Sequence, residues 1–157
     1  MGITAALKQR YKLIMATSYN TDFYGWTQQQ AELLRSGDVN QLDKENLLEE
    51  IESMGRSERR ELESRLEVLI THLLKWQYQE GLRIRSWRLT IVGQRAKVND
   101  CLAESPSLKH KLSESLAKAY RYSLISAEKE TNISRKVFPS VCPWSFEQII
   151  NSEFYPD

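Results

Sequence analysis

The chain has 157 residues, 41% hydrophobic and 27% charged, and its 22 Lys and Arg against 21 Asp and Glu leave a formal net charge of +1. That length sustains a hydrophobic core without metal or disulfide staples. Six glycines and four prolines exclude collagenous and low-complexity classes, and near-neutrality gives the whole molecule no attraction to nucleic acid or an anionic surface.

Helical periodicity runs through most of the chain. Residues 1–18 carry Lys8, Arg10 and Lys12 without an acid. The apolar run Leu13–Ala16 is too short for the centre of a signal peptide. This stretch reads as a frayed basic extension, although Ile3, Leu7 and Ile14 share one helical face of the kind that lies on membranes. Thr21 or Asp22 caps a first domain helix in which Phe23, Trp26, Gln30 and Leu33/Leu34 recur at helical steps, and Gly37 ends it. Asp43 opens a long acidic helix reaching about Gln79, which Gly55 either kinks or divides. Glu80-Gly81 breaks it, and Ser86 is expected to cap a helix to about Ala103. Ser105-Pro106 starts another that ends near Asn132. Phe138-Pro139 and Cys142-Pro143-Trp144 read as an extended strap. Ser145-Phe146-Glu147-Gln148 is a capping box opening a last short helix. The expected architecture is an all-α, single-domain bundle of about five helices over residues 19–157.

In the long helix, Leu48, Gly55, Leu62, Leu69 and Trp76 form one heptad column, and Ile51, Glu58, Arg65 and His72 form the next. Drift is only about 20° per heptad, so both columns are expected to face inward. Gly55 there predicts close approach of a neighbouring backbone. Charged groups at inward positions need partners. Glu58, Arg65 and His72 are therefore a polar network fixing helix register, side chains at the wet margin of the apolar stripe, or a site, with Glu58 or His72 as acid/base and Arg65 holding an anion. Neither histidine has Glu three positions before it, so the ligand pattern of helical di-metal proteins is missing. No metal or other cofactor is expected.

Residues 43–67 hold nine acids and five bases, net −4, whereas residues 75–97 hold six bases and one acid, net +5. These blocks are expected to pair across a helical hairpin. Arg83, Arg85 and Arg88 around Trp87 are also the best candidate for binding an anion or nucleic acid. Phosphate-cradling glycine loops and the Gly-x-Ser-x-Gly and His-Glu-x-x-His motifs are absent. Cys101 and Cys142 supply neither a disulfide framework nor zinc-ligand spacing, which favours a reducing cytoplasm. No apolar run approaches the ~18 residues of a membrane span, so no integral membrane association is expected.

Tyr19-Asn20-Thr21-Asp22-Phe23-Tyr24-Gly25-Trp26, Leu42-Asp43, Glu49-Glu50-Ile51-Glu52-Ser53-Met54-Gly55-Arg56-Ser57-Glu58 and His72-Leu73-Leu74-Lys75-Trp76 carry a resemblance. So do Ser64-Arg65-Leu66, Arg85-Ser86-Trp87, Ser105-Pro106-Ser107-Leu108 and Cys142-Pro143-Trp144. Over about residues 19–156 they resemble a bacterial, largely cyanobacterial family called domain of unknown function twenty-nine. The resemblance implies a compact helical domain in a bacterial cytoplasm and brings no reaction or catalytic residue with it. Relatives often have alanine where this chain has Gly25, which is expected to weaken its helix by about 0.5–1 kcal/mol. Lacking a catalytic constellation, the sequence reads foremost as a non-enzymatic interaction module, either a homo-oligomer or the partner of another protein. Anion binding and an unrecognised enzyme are the alternatives.

Overall fold

The computed structural model describes the backbone of residues 4–157 and the side chains of these residues other than 11–17. The fold is all-α, with no strand among the described residues. Its helices are α1 (Ala5–Thr21), α2 (Phe23–Ser36), α3 (Lys44–Tyr78), α4 (Arg85–Glu104), α5 (Leu112–Thr131) and α6 (Phe146–Ile150), with single 3-10 turns at Val39–Gln41 and Glu80–Leu82 and a longer 3-10 segment at Pro106–Lys111.

Local chemistry sets most of these boundaries. Asp22 caps α2 by accepting from the Gly25 amide at 2.9 Å, and Gly37 ends it at φ 79°, a left-handed conformation that costs glycine little. Asn132, at φ 60°, ends α5 in the same way. Both halves of the Ser145/Gln148 capping box are present at α6.

Several expectations need correction. Residues 5–18 are helical rather than frayed, in keeping with the strong helix formers of Ala5-Ala6-Leu7-Lys8-Gln9-Arg10. Leu7 is exposed; Ile3 and the side chain of Ile14, the rest of that apolar face, lie outside the described residues. The extended residue Ile84, not Ser86, is the N-cap of α4, which places Ser86 inside its first turn. Pro106 opens the 3-10 segment, and α5 starts only at Leu112. A Cβ at Gly25 would run into the Asp22 carboxylate. Alanine would therefore trade helix propensity against the cap, and glycine here is no simple weakness.

The chain forms two compact units, residues 1–55 and 56–157. In the first, the Tyr19 ring meets Phe23 and Trp26 edge-on, with centroids 5.7 and 4.8 Å away. Trp26 and Gln30 are buried. The Trp26 indole donates to Asp43 at 3.1 Å, the Asp43 amide donates to Gln30 at 2.8 Å, and the Tyr19 hydroxyl donates to Glu50 at 2.6 Å. The Glu50 carboxylate beside it pushes the Tyr19 hydroxyl above its ordinary range.

The second unit holds the main core. Leu62, Leu66, Leu69 and Leu73 of α3 are fully buried against Ile91, Val98 and Leu102 of α4, Ala119, Tyr120 and Ala127 of α5, and Ile149. Ile70 and Leu74, also fully buried, widen the expected stripe to an arc able to meet more than one neighbour. Phe138 and Trp144 join the same core from the strap, where the Tyr120 hydroxyl donates to the Pro139 carbonyl at 2.6 Å.

The inward columns do not extend to the start of α3. Leu48, Ile51 and Met54 are 58%, 63% and 68% exposed, and no described atom lies within 4 Å of a Cβ built on Gly55. Heptad phase fixes which side of a helix is apolar, but not which stretch of it has a neighbour.

Candidate functional site

The polar column of α3 is spread out rather than gathered. Glu58, Arg65 and His72 follow one another at seven-residue steps, about 10 Å of rise each, so the outer two are about 21 Å apart along the axis. Glu58 is exposed, not inward, and accepts from the Ser105 hydroxyl at 3.3 Å. Arg65 is half-buried, its guanidinium on Glu61 of the preceding turn at 2.6–2.7 Å. His72 is half-buried, with Nδ1 2.8 Å from the Val68 carbonyl. Because a carbonyl only accepts, Nδ1 carries the proton and neutral His72 keeps Nε2 as its acceptor.

Burial pushes His72 below its ordinary range, with Lys75 adding to this and the Val68 carbonyl and Glu130 opposing it. The sign follows from linkage: below about pH 6.5 the unfolded chain takes up a proton at His72 that the folded chain resists, so stability rises with pH there. The contribution is complete above that value and is lost as the pH falls through it. Thermal melts at pH 7.5 and 5 should show a larger loss for the natural chain than for His72→Gln; equal losses would contradict this.

Charge converges more tightly on Glu63, which the sequence pattern did not single out. Its buried carboxylate accepts from Arg59 at 2.9 Å, from Lys118 at 2.5 Å and from Ser115 at 3.5 Å. Arg59 also reaches Glu114 at 3.1 Å, and Lys111 holds the Glu114 carboxyl below its ordinary range. A cavity of about 130 Å³ opens beside this network, lined by Arg60, Glu63, Glu67, Lys118 and Tyr122 among others. The sequence did hold a signal: Glu63 lies between Leu62 and Leu66 and three and seven positions before Leu66 and Ile70, on the buried arc.

At the α3–α4 corner the fold engages Arg83 and Trp87 of the basic cluster and leaves Arg85 and Arg88 at the surface. Arg83 donates to the Trp76 carbonyl at 2.8 Å and lies over the Trp76 ring. Trp76 in turn meets Tyr155, with ring centroids 4.9 Å apart. The guanidinium of Arg88 lies 5.8 Å from the Tyr155 ring centroid and that of Arg95 5.2 Å. Trp87 is half-buried under the ammonium of Lys75, 4.5 Å from its centroid, and Lys75 also pairs with Glu130 at 2.6 Å. Arg85 and Arg88 are exposed.

The expected acid-to-base hairpin is replaced by other pairings. Ser105, just past the end of α4, meets Glu58, while Trp87 at its start meets Lys75. An antiparallel α4 therefore brings its basic start to the basic end of α3. Glu63 finds its cross-helix cation in Lys118 of α5 instead.

Burial pushes both thiols, Cys101 and Cys142, above their ordinary range, the reverse of what a nucleophile needs. Among the described residues, no group of three or more His, Cys, Asp or Glu side chains is placed to hold a metal ion, and no helix is long and apolar enough to cross a membrane.

These features define an all-α protein whose polar clusters mostly tie helices to one another. The chain belongs to the family described as Domain of unknown function DUF29, whose model matches residues 18–155. No curated protein and no solved structure matches it. The matched stretch takes in the networks above, among them Tyr19, Trp26 and Asp43 in the first unit and His72, Lys75 and Trp76 in the second.

Proposed function

We propose that this protein is a non-enzymatic protein–protein interaction module of a bacterial cytoplasm, with residues 19–157 acting as one domain behind a basic extension. The observation that carries the reading is the apolar surface left open on two helices. Leu48, Ile51 and Met54 lie along the start of α3, and Leu89 and Val92, 56% and 51% exposed, lie along α4. Exposed apolar side chains that recur along one helix are what an interaction surface offers a partner. Trp144 is buried and Trp87 is half-buried under Lys75, so aliphatic side chains rather than tryptophans supply the anchors.

The rival readings have less support. A catalytic role for Glu58, Arg65 and His72 requires one substrate to touch groups about 10 Å apart in series. Nucleic-acid binding through Arg83, Arg85, Arg88 and Trp87 has the exposed Arg85 and Arg88 to offer, but base stacking needs a free ring face, and Lys75 lies over Trp87 while Arg83 is held on Trp76.

Native mass spectrometry of the protein purified gently from its own host tests the proposal. A stoichiometric homo-oligomer or a defined protein complex is expected. A bare monomer would overturn it, and a retained small molecule or nucleic acid would replace it with a binding or enzymatic reading.

A further inference from the structure

The two open faces are matched to each other. Residues 44–54 carry four acids and one base, net −3, and residues 82–92 carry three bases and no acid, net +3, over eleven residues each. On α3 the apolar positions Leu48, Ile51 and Met54 are flanked by Glu45 and Glu52, one heptad apart. On α4 the core uses Ile91, Arg95, Val98 and Leu102. A second column, Arg85, Leu89, Val92 and Ala96, turned about a third of the way round the helix at 100° per residue, is exposed throughout. Each helix therefore offers about two turns of exposed apolar side chains in a segment whose net charge is of one sign, and the signs are opposite.

We infer that the partner is a second copy of this chain, with residues 44–54 of one copy docked along residues 82–96 of the other. This rests on the interaction reading above and gives it an occupant. Arg85 and Arg88 sit at the start of α4, where the neighbouring turn of α3 offers Lys75 rather than an acid. An incoming acidic helix would complement them, and the start of α3 in a second copy is acidic and carries apolar side chains at helical spacing. A partner carrying both faces makes the contact twice when a two-fold axis closes it, or head to tail in a growing chain when none does. Opposed charge also disfavours the competing pairings, α3 on α3 and α4 on α4, which set like charges against each other.

The pairing is tested by charge exchange in sedimentation velocity on the full chain. Arg85→Glu/Arg88→Glu and Glu45→Lys/Glu52→Lys should each weaken self-association at least tenfold. Mixed in equal amounts they should associate again, because the mixture joins two natural faces at one contact and two reversed faces at the other. Arg88 also contacts the Tyr155 ring, and Glu45 and Glu52 have partners within their own chain, so Arg85→Glu/Val92→Asp, which leaves Arg88 in place, and Ile51→Asp, which leaves both glutamates in place, serve as second variants of the two faces, and far-UV circular dichroism checks the fold of each. Self-association that neither face alters overturns this pairing while sustaining the interaction reading. A chain monomeric by itself but held in a defined complex with a different protein does the same. Folded variants that lose association and do not recover it on mixing overturn the pairing as well. A chain that stays monomeric throughout, with no partner in the native spectrum, overturns both.

Discussion

Replacing Arg95 by methionine should cost about 3–5 kcal/mol in urea unfolding, and the loss should appear first in the C-terminal segment 149–156. Arg95 is only 4% exposed, yet it lies in α4 among Ile91, Val98 and Leu102. Its guanidinium donates to three backbone carbonyls of the last turns: Ile149 at 2.8 Å, Ser152 at 3.4 Å and Phe154 at 2.5 Å. The Tyr155 ring lies against the same guanidinium, and Arg83 adds a contact to the Pro156 carbonyl at 3.4 Å. Methionine fills much of the volume but donates nothing. Each carbonyl left in the interior without a donor costs about 1–3 kcal/mol, and a charged donor makes the lost bonds stronger than neutral ones. Lysine keeps the charge but cannot reproduce the planar fork, so Arg95→Lys should recover only part of the loss. Hydrogen exchange provides the local readout: amides of residues 149–155 should lose protection before those of α3. A uniform loss across the second unit would assign Arg95 to general packing and remove its role in anchoring the C-terminal segment.

Arg95 also shows how much the sequence disclosed. Helix ends were legible because their causes are local: an aspartate at position 22, a glycine at 37, an asparagine at 132 and the Ser145/Gln148 pair each act within a few residues of themselves. Partnering was not legible in the same way. In a segment with net charge +5, an arginine reads as surface, and only its place between Ile91 and Val98 on the apolar stripe signals burial. Glu63 was hidden for the same reason in a segment rich in acids. The opposite error occurred at Leu48 and Ile51, whose spacing is that of a core stripe although neither is covered. Of the polar column, the sequence supplied the heptad phase, but side-chain reach decided the outcome. Arg65 and His72 satisfy themselves within one turn of their own helix, and Glu58 faces solvent beside Ser105.

The heptad column that misled at one end makes a direct comparison of burial on a single helix. Leu48 and Leu69 are three heptads apart in the same column of α3, with exposures of 58% and 0%. Leu69→Ala removes three buried carbon atoms from a site surrounded by core side chains of α3 and its packed neighbours. The transfer and cavity terms together should cost about 2–5 kcal/mol, which for a chain of this size lowers the melting temperature by roughly 5–15 °C. Leu48→Ala, measured where the chain is dilute enough to be monomeric, should stay within about 0.5 kcal/mol of the natural protein, because its methyl groups lose little contact in the folded chain. The comparison then extends to concentration. If residues 44–54 dock on a second copy, Leu48→Ala should leave the dilute protein unchanged but lose the rise in melting temperature that mass action gives an associating chain as it is concentrated. Leu69→Ala should lower the melting temperature at every concentration. Equal destabilisation by the two substitutions in dilute protein would mean that the start of α3 is already covered within the single chain, and the open face would have to be abandoned.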